Sequence, residues 1–288
     1  MEIYRKSIKP HTHTKQMLNT TIVSCYYLLP NNKKRSIPSY MTWISNFLRF
    51  CDTPIVMFSD GEIADSLDNL RKSISPIHAK NWILIRRPLE QLHFSSPKYM
   101  EYFTNLESKT PRGITADVVK LWMNKIFFLQ EISTQNPFNT SSFLWCDAGC
   151  WRDERIASQY APGWPRKHPS ALTLTWINDS LRDVKKLKCP GSLEDCVKVY
   201  SPLILNKASI AGGIFGGSYD CIDSLVSVFP NVLQILMDAK IYVDGDQEIL
   251  AFSALWLESQ GIFVDFYDKF REPMPEGTDD WFLFQTIL

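Results

Sequence analysis

Residues 20–29 read TTIVSCYYLL, residues 54–59 read PIVMFS and residues 82–85 read WILI. Each is a short apolar run rich in β-branched or aromatic residues. The first stops at Pro30-Asn31-Asn32 and the second at Asp60-Gly61. Runs of this kind read as strands, the first of them buried. Between them, Pro38–Phe50 and Ile63–Ser73 carry apolar residues at helical spacing, with Pro38 and Ser39 opening the first. Strand–helix–strand–helix–strand predicts an α/β fold, with a Rossmann-like central, mostly parallel sheet flanked by helices.

Farther along, Thr115–Glu131 (TADVVKLWMNKIFFLQE) predicts one long helix, capped by Thr115 and carrying Asp117 in its first turn. Ser142–Cys146 (SFLWC) is a strand stopped by Asp147-Ala148-Gly149. Leu172–Ile177 and Ser201–Leu205 read as further strands, and Ser209–Tyr219 (SIAGGIFGGSY) as a glycine-rich segment. Pro230–Ala239 and Ile249–Ser259 read as helices, and Phe263–Phe266 as a late strand before a polar, proline-rich end. With no repeat or low-complexity linker, a single domain over residues 19–288 is expected, preceded by a flexible extension at 1–18.

The 288 residues carry 31 basic and 31 acidic side chains, so net charge is zero. That argues against a nucleic-acid binder, whose affinity for phosphate backbones comes from excess Lys and Arg. Charge is unevenly placed: residues 1–35 hold seven bases against Glu2, whereas acids dominate from Asp244 onward. Seven cysteines without a framework of spacings suit free thiols in the cytoplasm, and Cys146-x3-Cys150 and Cys189-x6-Cys196 are poor zinc signatures. The opening MEIYRKSIKPHTHTKQ has no apolar h-region, and the runs near 22–29 and 126–129 are too short to span a bilayer. No transmembrane segment is expected; any membrane association would be peripheral. The oligomeric state is not legible.

Three constellations carry chemistry. In the first, Asp147 follows a hydrophobic strand, where ligands collect in open α/β sheets, and suits a divalent cation or a ligand hydroxyl. Ala148 and Gly149 would let a ligand lie against the backbone, although Asp-x-Gly after a strand is also an ordinary turn. Arg152, just beyond, could touch a phosphate. In the second, four glycines within 212–217 allow close backbone approach; without a following Lys-Ser/Thr this is no P-loop, and it reads either as a turn or as a wall for a flat polar ligand. In the third, Asp246 and Glu248 open a helix, where acids suit the dipole but also supply a base or an acceptor for sugar hydroxyls. Trp145 and Trp151 are stacking candidates, Trp145 reading mainly as core, and His168 is a candidate near the site.

Taken together, Asn136-Pro137-Phe138-Asn139, Phe143–Gly149, the strand Thr20–Cys25, Gly212–Gly217 and the helix start Asp246-Gln247-Glu248 resemble the HtrL/YibB-like family, read as glycosyltransferases, over about residues 20–270. Ala116–Lys120 is similar to the helix preceding the Asp-x-Asp motif in GT-A-fold glycosyltransferases. The resemblance implies a GT-A-like fold with a nucleotide-sugar-binding half at 19–150 and an acceptor half at 151–288. It implies donor contacts at Asp117, Lys120 and Asp147, and acceptor or transferred-sugar contacts at Gly212, Gly213 and Asp246. It also implies Mn²⁺ or Mg²⁺ on Asp147. Gly149 stands where a second Asp would be, and no His follows His168; both depart from the pattern. The expected activity is transfer of a hexosyl or pentosyl unit from a UDP- or GDP-sugar to a glycan or other hydroxyl. Asp246 is the expected base and Glu248 the second choice. A non-catalytic nucleotide-sugar or glycan-binding module and a metal-dependent phosphoesterase using Asp147 and Asp246 are the alternatives.

Overall fold

Ile22 and Val23 are adjacent and both fully buried, yet they belong to different hydrophobic cores. The same holds for Leu144 and Trp145. Successive strand residues point to opposite faces, so each of these strands must be covered by helices on both sides. The computed structural model describes residues 19–29, 36–109, 114–189, 191–243, 245–270, 274–276 and 278–288. The extension read at 1–18 lies outside them.

In chain order the elements are β1 (Thr20–Cys25), α1 (Ile37–Phe50), β2 (Ile55–Ser59), α2 (Gly61–Ile74), β3 (Trp82–Arg86), α3 (Pro97–Lys109), α4 (Ala116–Met123), α5 (Lys125–Gln135), β4 (Ser142–Cys146) and α6 (Glu154–Tyr160). Then come β5 (Leu172–Trp176), α7 (Leu181–Val184), α8 (Leu193–Ile204), β6 (Ile210–Gly217), α9 (Tyr219–Asp238), α10 (Asp246–Ser259), β7 (Val264–Asp268) and α11 (Phe284–Ile287). The seven strands form one sheet in the order β3-β2-β1-β4-β6-β5-β7. All pairs are parallel except those of β6, which runs antiparallel to both β4 and β5. The expected single-domain, mostly parallel α/β sheet is therefore present. One core lies under α3, α4, α5 and α8–α10; the other lies under α1, α2, α6 and the last residues, Phe282–Leu288.

Local chemistry sets the helix starts. Ser36 accepts a hydrogen bond from the Ser39 amide, Asp60 from Gly61, Thr115 from Val118, Asp153 from Arg155 and Ile156, and Ser192 from Asp195. Three elements differ from the sequence reading. The single helix expected over 115–131 is interrupted at Asn124, whose Nδ2 donates to Lys120 O (2.8 Å) while its Oδ1 accepts from the His93 amide (2.8 Å). A side chain that bonds to its own and a neighbouring backbone offers the chain an alternative to continuous helix. Residues 201–205 end helix α8 rather than forming a strand, because the Ser192 cap and the acids Glu194 and Asp195 start that helix upstream. The glycine-rich segment is strand β6, buried along its whole length.

Helix α9 is long and apolar enough to meet the length and composition of a membrane span, a feature the shorter apolar runs at 22–29 and 126–129 did not reveal. However, Leu225, Phe229, Val232, Leu233 and Leu236 are fully buried in the core it shares with α5 and α10.

The sheet has its topological switch point between β1 and β4: β2 and β3 extend from one side of β1, and β4 lies on the other. Crevices for ligands open at such points, beyond the carboxyl ends of the strands.

Candidate active site

Strand β1 ends at Cys25 and leads into Tyr26–Leu29; β4 ends at Cys146 and leads into Asp147–Gly149. The β4–β6 ladder continues past the strand, because the Asp147 amide donates to Gly213 O at 2.8 Å. With β6 antiparallel, its first residues lie beside the last of β4. This topology brings residues 147 and 212 together despite their separation in sequence.

A crevice with two lobes occupies this edge. One lobe, of about 390 Å³, is walled mainly by Tyr26, Leu28, Leu29, Ile37, Tyr40 and Trp122. The other, of about 560 Å³, is lined by Asn206, Gln247, Asp246, Glu248, Asp279 and Trp281, among others. The lobes share Tyr40, Trp122, Lys125, Asp147, Arg152 and Phe282.

Lys125 forms the floor at the seam. Because the helix stops at Asn124 and restarts, Lys125 is the first residue of α5 and is buried rather than solvated. Its Nζ lies 3.1 Å from Asp147 Oδ1, 3.1 Å from Asp246 Oδ2 and 2.8 Å from Gly212 O. Burial works against the ammonium, but Asp147 and Asp246 together outweigh it and lift the Lys125 pKa above the ordinary lysine value. Asp246 is buried too. Burial raises its pKa, Lys125 opposes that, Asp147 adds to it, and the net is above the ordinary aspartate value. Asp246 Oδ2 faces Lys125 Nζ at 3.1 Å and, among the described residues, has no other partner.

Asp147 is held differently. Trp145 Nε1 donates to its Oδ1 at 2.8 Å, and Lys125 approaches the same oxygen. Among the described residues Oδ2 has no partner, and the side chain is 34% exposed. Beneath this turn the Cys146 and Cys150 sulfurs lie 3.0 Å apart, and burial pushes the Cys146 thiol well above its usual value.

Glycine at two positions follows from close packing. A Cβ at Gly149 would lie 2.8 Å from the Tyr40 ring, so no carboxylate can stand beside Asp147 there without displacing that ring. A Cβ at Gly212 would lie 2.8 and 2.9 Å from the two Asp246 carboxylate oxygens. Gly212→Ala is expected to force Asp246 off Lys125 and to destabilise the protein by about 1–3 kcal/mol. Urea denaturation checks this, and an unchanged midpoint would refute the packing argument.

Asp147, Ala148, Gly149, Arg152, Gly212, Gly213, Asp246 and Glu248 thus line one crevice. Asp117 and Lys120 do not line it. They pair with each other at 2.8 Å on α4, which turns Val118, Leu121 and Trp122 toward the crevice instead. His168 is elsewhere as well: its Nδ1 bonds to Thr20 Oγ1 (2.9 Å) at the opposite end of β1. Trp145 and Trp151 are buried core residues, and Tyr40, Trp122 and Trp281 are the half-buried rings that line the site. Arg152 lies between the Trp43 and Phe282 rings, 5.0 and 4.8 Å from their centroids, and pairs with Asp279.

Residues 19–273 match the HtrL_YibB family, described as bacterial protein of unknown function. The chain belongs to that family. No curated protein matches it.

Several residues of the crevice carry no signal in the sequence. Lys125 looks like any solvated lysine in a helical pattern. Asp279, Trp281 and Phe282 sit in what reads as a polar tail. Only the run Asp279-Asp280-Trp281-Phe282, with two aromatics after two acids, hints that this end returns to the core.

Proposed function

We propose that this protein transfers a glycosyl unit from a UDP- or GDP-sugar in the apolar lobe to a hydroxyl of a glycan in the polar lobe. The observation that carries the reading is the crevice at the β1/β4 switch point, where an aromatic lobe and a carboxylate lobe meet at Asp147, Lys125 and Asp246. Flat rings at Tyr26, Tyr40 and Trp122 suit a base. Asp246 suits the proton acceptor, because a buried carboxylate with a raised pKa is a stronger base than an exposed one. Asp246 takes the acceptor hydroxyl's proton as the new C–O bond forms. The bond between the anomeric carbon and the diphosphate oxygen breaks, and the nucleotide leaves with that electron pair. Arg152 faces the diphosphate from the shared wall.

Charge balance supports a divalent cation. Among the described residues lining the two lobes, Lys125 and Arg152 are the cations, and each is already paired with carboxylates, Lys125 with Asp147 and Asp246 and Arg152 with Asp279. A diphosphate needs further positive charge. Asp147 Oδ2 fits a cation that takes one carboxylate oxygen and completes its shell with water and phosphate oxygens. Asp246 does not fit as a second ligand, because the Lys125 ammonium stands between it and Asp147. When bound, Mn²⁺ or Mg²⁺ would supply charge against the leaving diphosphate. The same obstruction leaves a phosphoesterase built on paired carboxylates without support. The cytoplasm is the proposed compartment, since all seven cysteines are free.

The test is thermal denaturation and nucleotide release with a panel of UDP- and GDP-sugars, with Mn²⁺ or EDTA. A saturating donor at a hundred times its Kd is expected to stabilise the protein by about 2.7 kcal/mol, and Asp147→Ala or EDTA is expected to remove most of that gain. No stabilisation by any donor would refute the reading. Equal stabilisation in EDTA would refute the metal.

A further inference from the structure

We infer that Trp145 is a positioning residue: its indole N–H fixes one oxygen of Asp147, so that the other is presented to a divalent cation. The inference rests on the cation reading given above for Asp147, and its test is cation binding rather than turnover.

By burial Trp145 belongs to the core. It is 1% exposed on strand β4, with Val23 of β1 and Phe215 of β6 as its neighbours across the sheet. Its ring stacks on Phe128, with centroids 6.1 Å apart and planes inclined by 14°, and Lys125 Nζ lies 5.8 Å from its centroid. An indole N–H buried in this way needs an acceptor. Here the acceptor is Asp147 Oδ1, at 2.8 Å. Strand geometry sets up the contact. The ladder continues to the Asp147 amide, so the side chains of residues 145 and 147 leave the sheet on the same face.

The Asp147 backbone is pinned as well, by its amide on Gly213 O and by the Cys150 amide on its own carbonyl, at 2.9 Å. With Trp145 and Lys125 both on Oδ1, the carboxylate loses its torsional freedom, and holding Oδ1 aims Oδ2. Asp147 lines both lobes of the crevice. Partners that orient a ligating side chain govern metal affinity much as the ligands themselves do.

A second tryptophan shows what the same contact does where it serves the fold alone. At the end of β5, Trp176 Nε1 donates to Asn178 Oδ1, again two residues on and again at 2.8 Å. That acceptor is spent on its own surroundings: Asn178 Oδ1 also accepts from the Ser180 amide, and Nδ2 donates to Lys207 O and Ser209 Oγ. Neither Trp176 nor Asn178 lines the crevice. Asp147 differs in keeping an oxygen without a partner among the described residues.

The test removes the N–H and keeps the ring. Trp145→benzothienylalanine puts sulfur where the indole nitrogen stood and preserves the shape; Trp145→Phe is the simpler variant, and Trp176→Phe is the control. Mn²⁺ is titrated against each full chain at fixed UDP and then at fixed GDP, and its uptake is followed by water-proton relaxation. Both Trp145 variants are expected to raise the Mn²⁺ midpoint by about 10–100-fold, and Trp176→Phe is expected to leave it in place. If Trp145→Phe fails to fold, the benzothienylalanine chain decides. An unchanged midpoint in that chain would overturn the inference, as would an equal rise in Trp176→Phe. If the parent takes up no Mn²⁺ with either nucleotide, the inference falls together with the cation. Glycosyl transfer is judged separately, by whether any nucleotide sugar stabilises the parent.

Discussion

Replacing Lys125 with methionine is expected to cost the fold about 3–5 kcal/mol, because removing one partner strands a buried charge. The side chain is 5% exposed and neutralises a carboxylate, Asp246, that is 4% exposed. Asp147 has a route to water and tolerates the loss; Asp246 does not. Thermal unfolding should shift down on the order of 10 °C. The cause can be isolated by adding Asp246→Asn to Lys125→Met. If the penalty comes from an unpaired buried charge, the second substitution should recover more than half of it, a coupling that two independent sites would not show. A Lys125→Met chain within about 1 kcal/mol of the parent, as ordinary surface changes are, would mean that Lys125 is not the keystone of this floor.

The strands were legible where burial on both faces leaves short, continuous apolar runs, as at Thr20–Leu29, Pro54–Ser59 and Ser142–Cys146, which contain β1, β2 and β4. Trp82–Ile85 marked β3 by its apolar run alone, since that edge strand is only partly buried. Strand β6 was not legible. Its glycines are there because neighbours press against it, Asp246 on Gly212 and Phe282 on Gly213, and such contacts are long-range facts that a local pattern cannot hold. The helix break at Asn124 was hidden for a similar reason. Asn124 fits a helical pattern until its side chain meets the His93 amide, thirty-one positions away.

The site was legible at its carboxylates and not at its cation. Asp147 stands out after a strand, and Asp246 stands out at a helix start. Lys125 is defined by what it touches, and nothing in residues 121–129 distinguishes it from a solvated lysine. The C-terminal wall was missed because Pro-rich polar sequence before residue 279 resembles a tail, whereas Phe282 and Phe284 anchor the chain into the second core. The departure at Gly149 becomes intelligible only when the Tyr40 ring is seen against it.

Asp246→Asn is expected to reduce turnover by about 10²–10⁴-fold, the range attributed to a general base, while donor binding persists because Asp246 does not line the apolar lobe. Lys125 keeps Asp147 and Gly212 O as partners in this variant, so the fold should suffer less than in Lys125→Met. The pH dependence supplies a second readout. Asp246 must be ionised to accept a proton, and burial raises its pKa above the ordinary aspartate value. The acid limb of kcat/KM should therefore fall at a higher pH than an exposed carboxylate would give. Stability runs the other way. A carboxylate with a raised folded pKa contributes stability that is complete below its unfolded pKa and is lost as pH rises through the folded value. Between those two values the protein should be firmer and slower. Lys125→Met, by removing the charge that opposes the shift, should carry the acid limb higher still. Glu248→Gln should leave the limb in place. Should Asp246→Asn retain turnover and the limb move with Glu248→Gln instead, the proton goes to Glu248, and Asp246 serves only to hold Lys125.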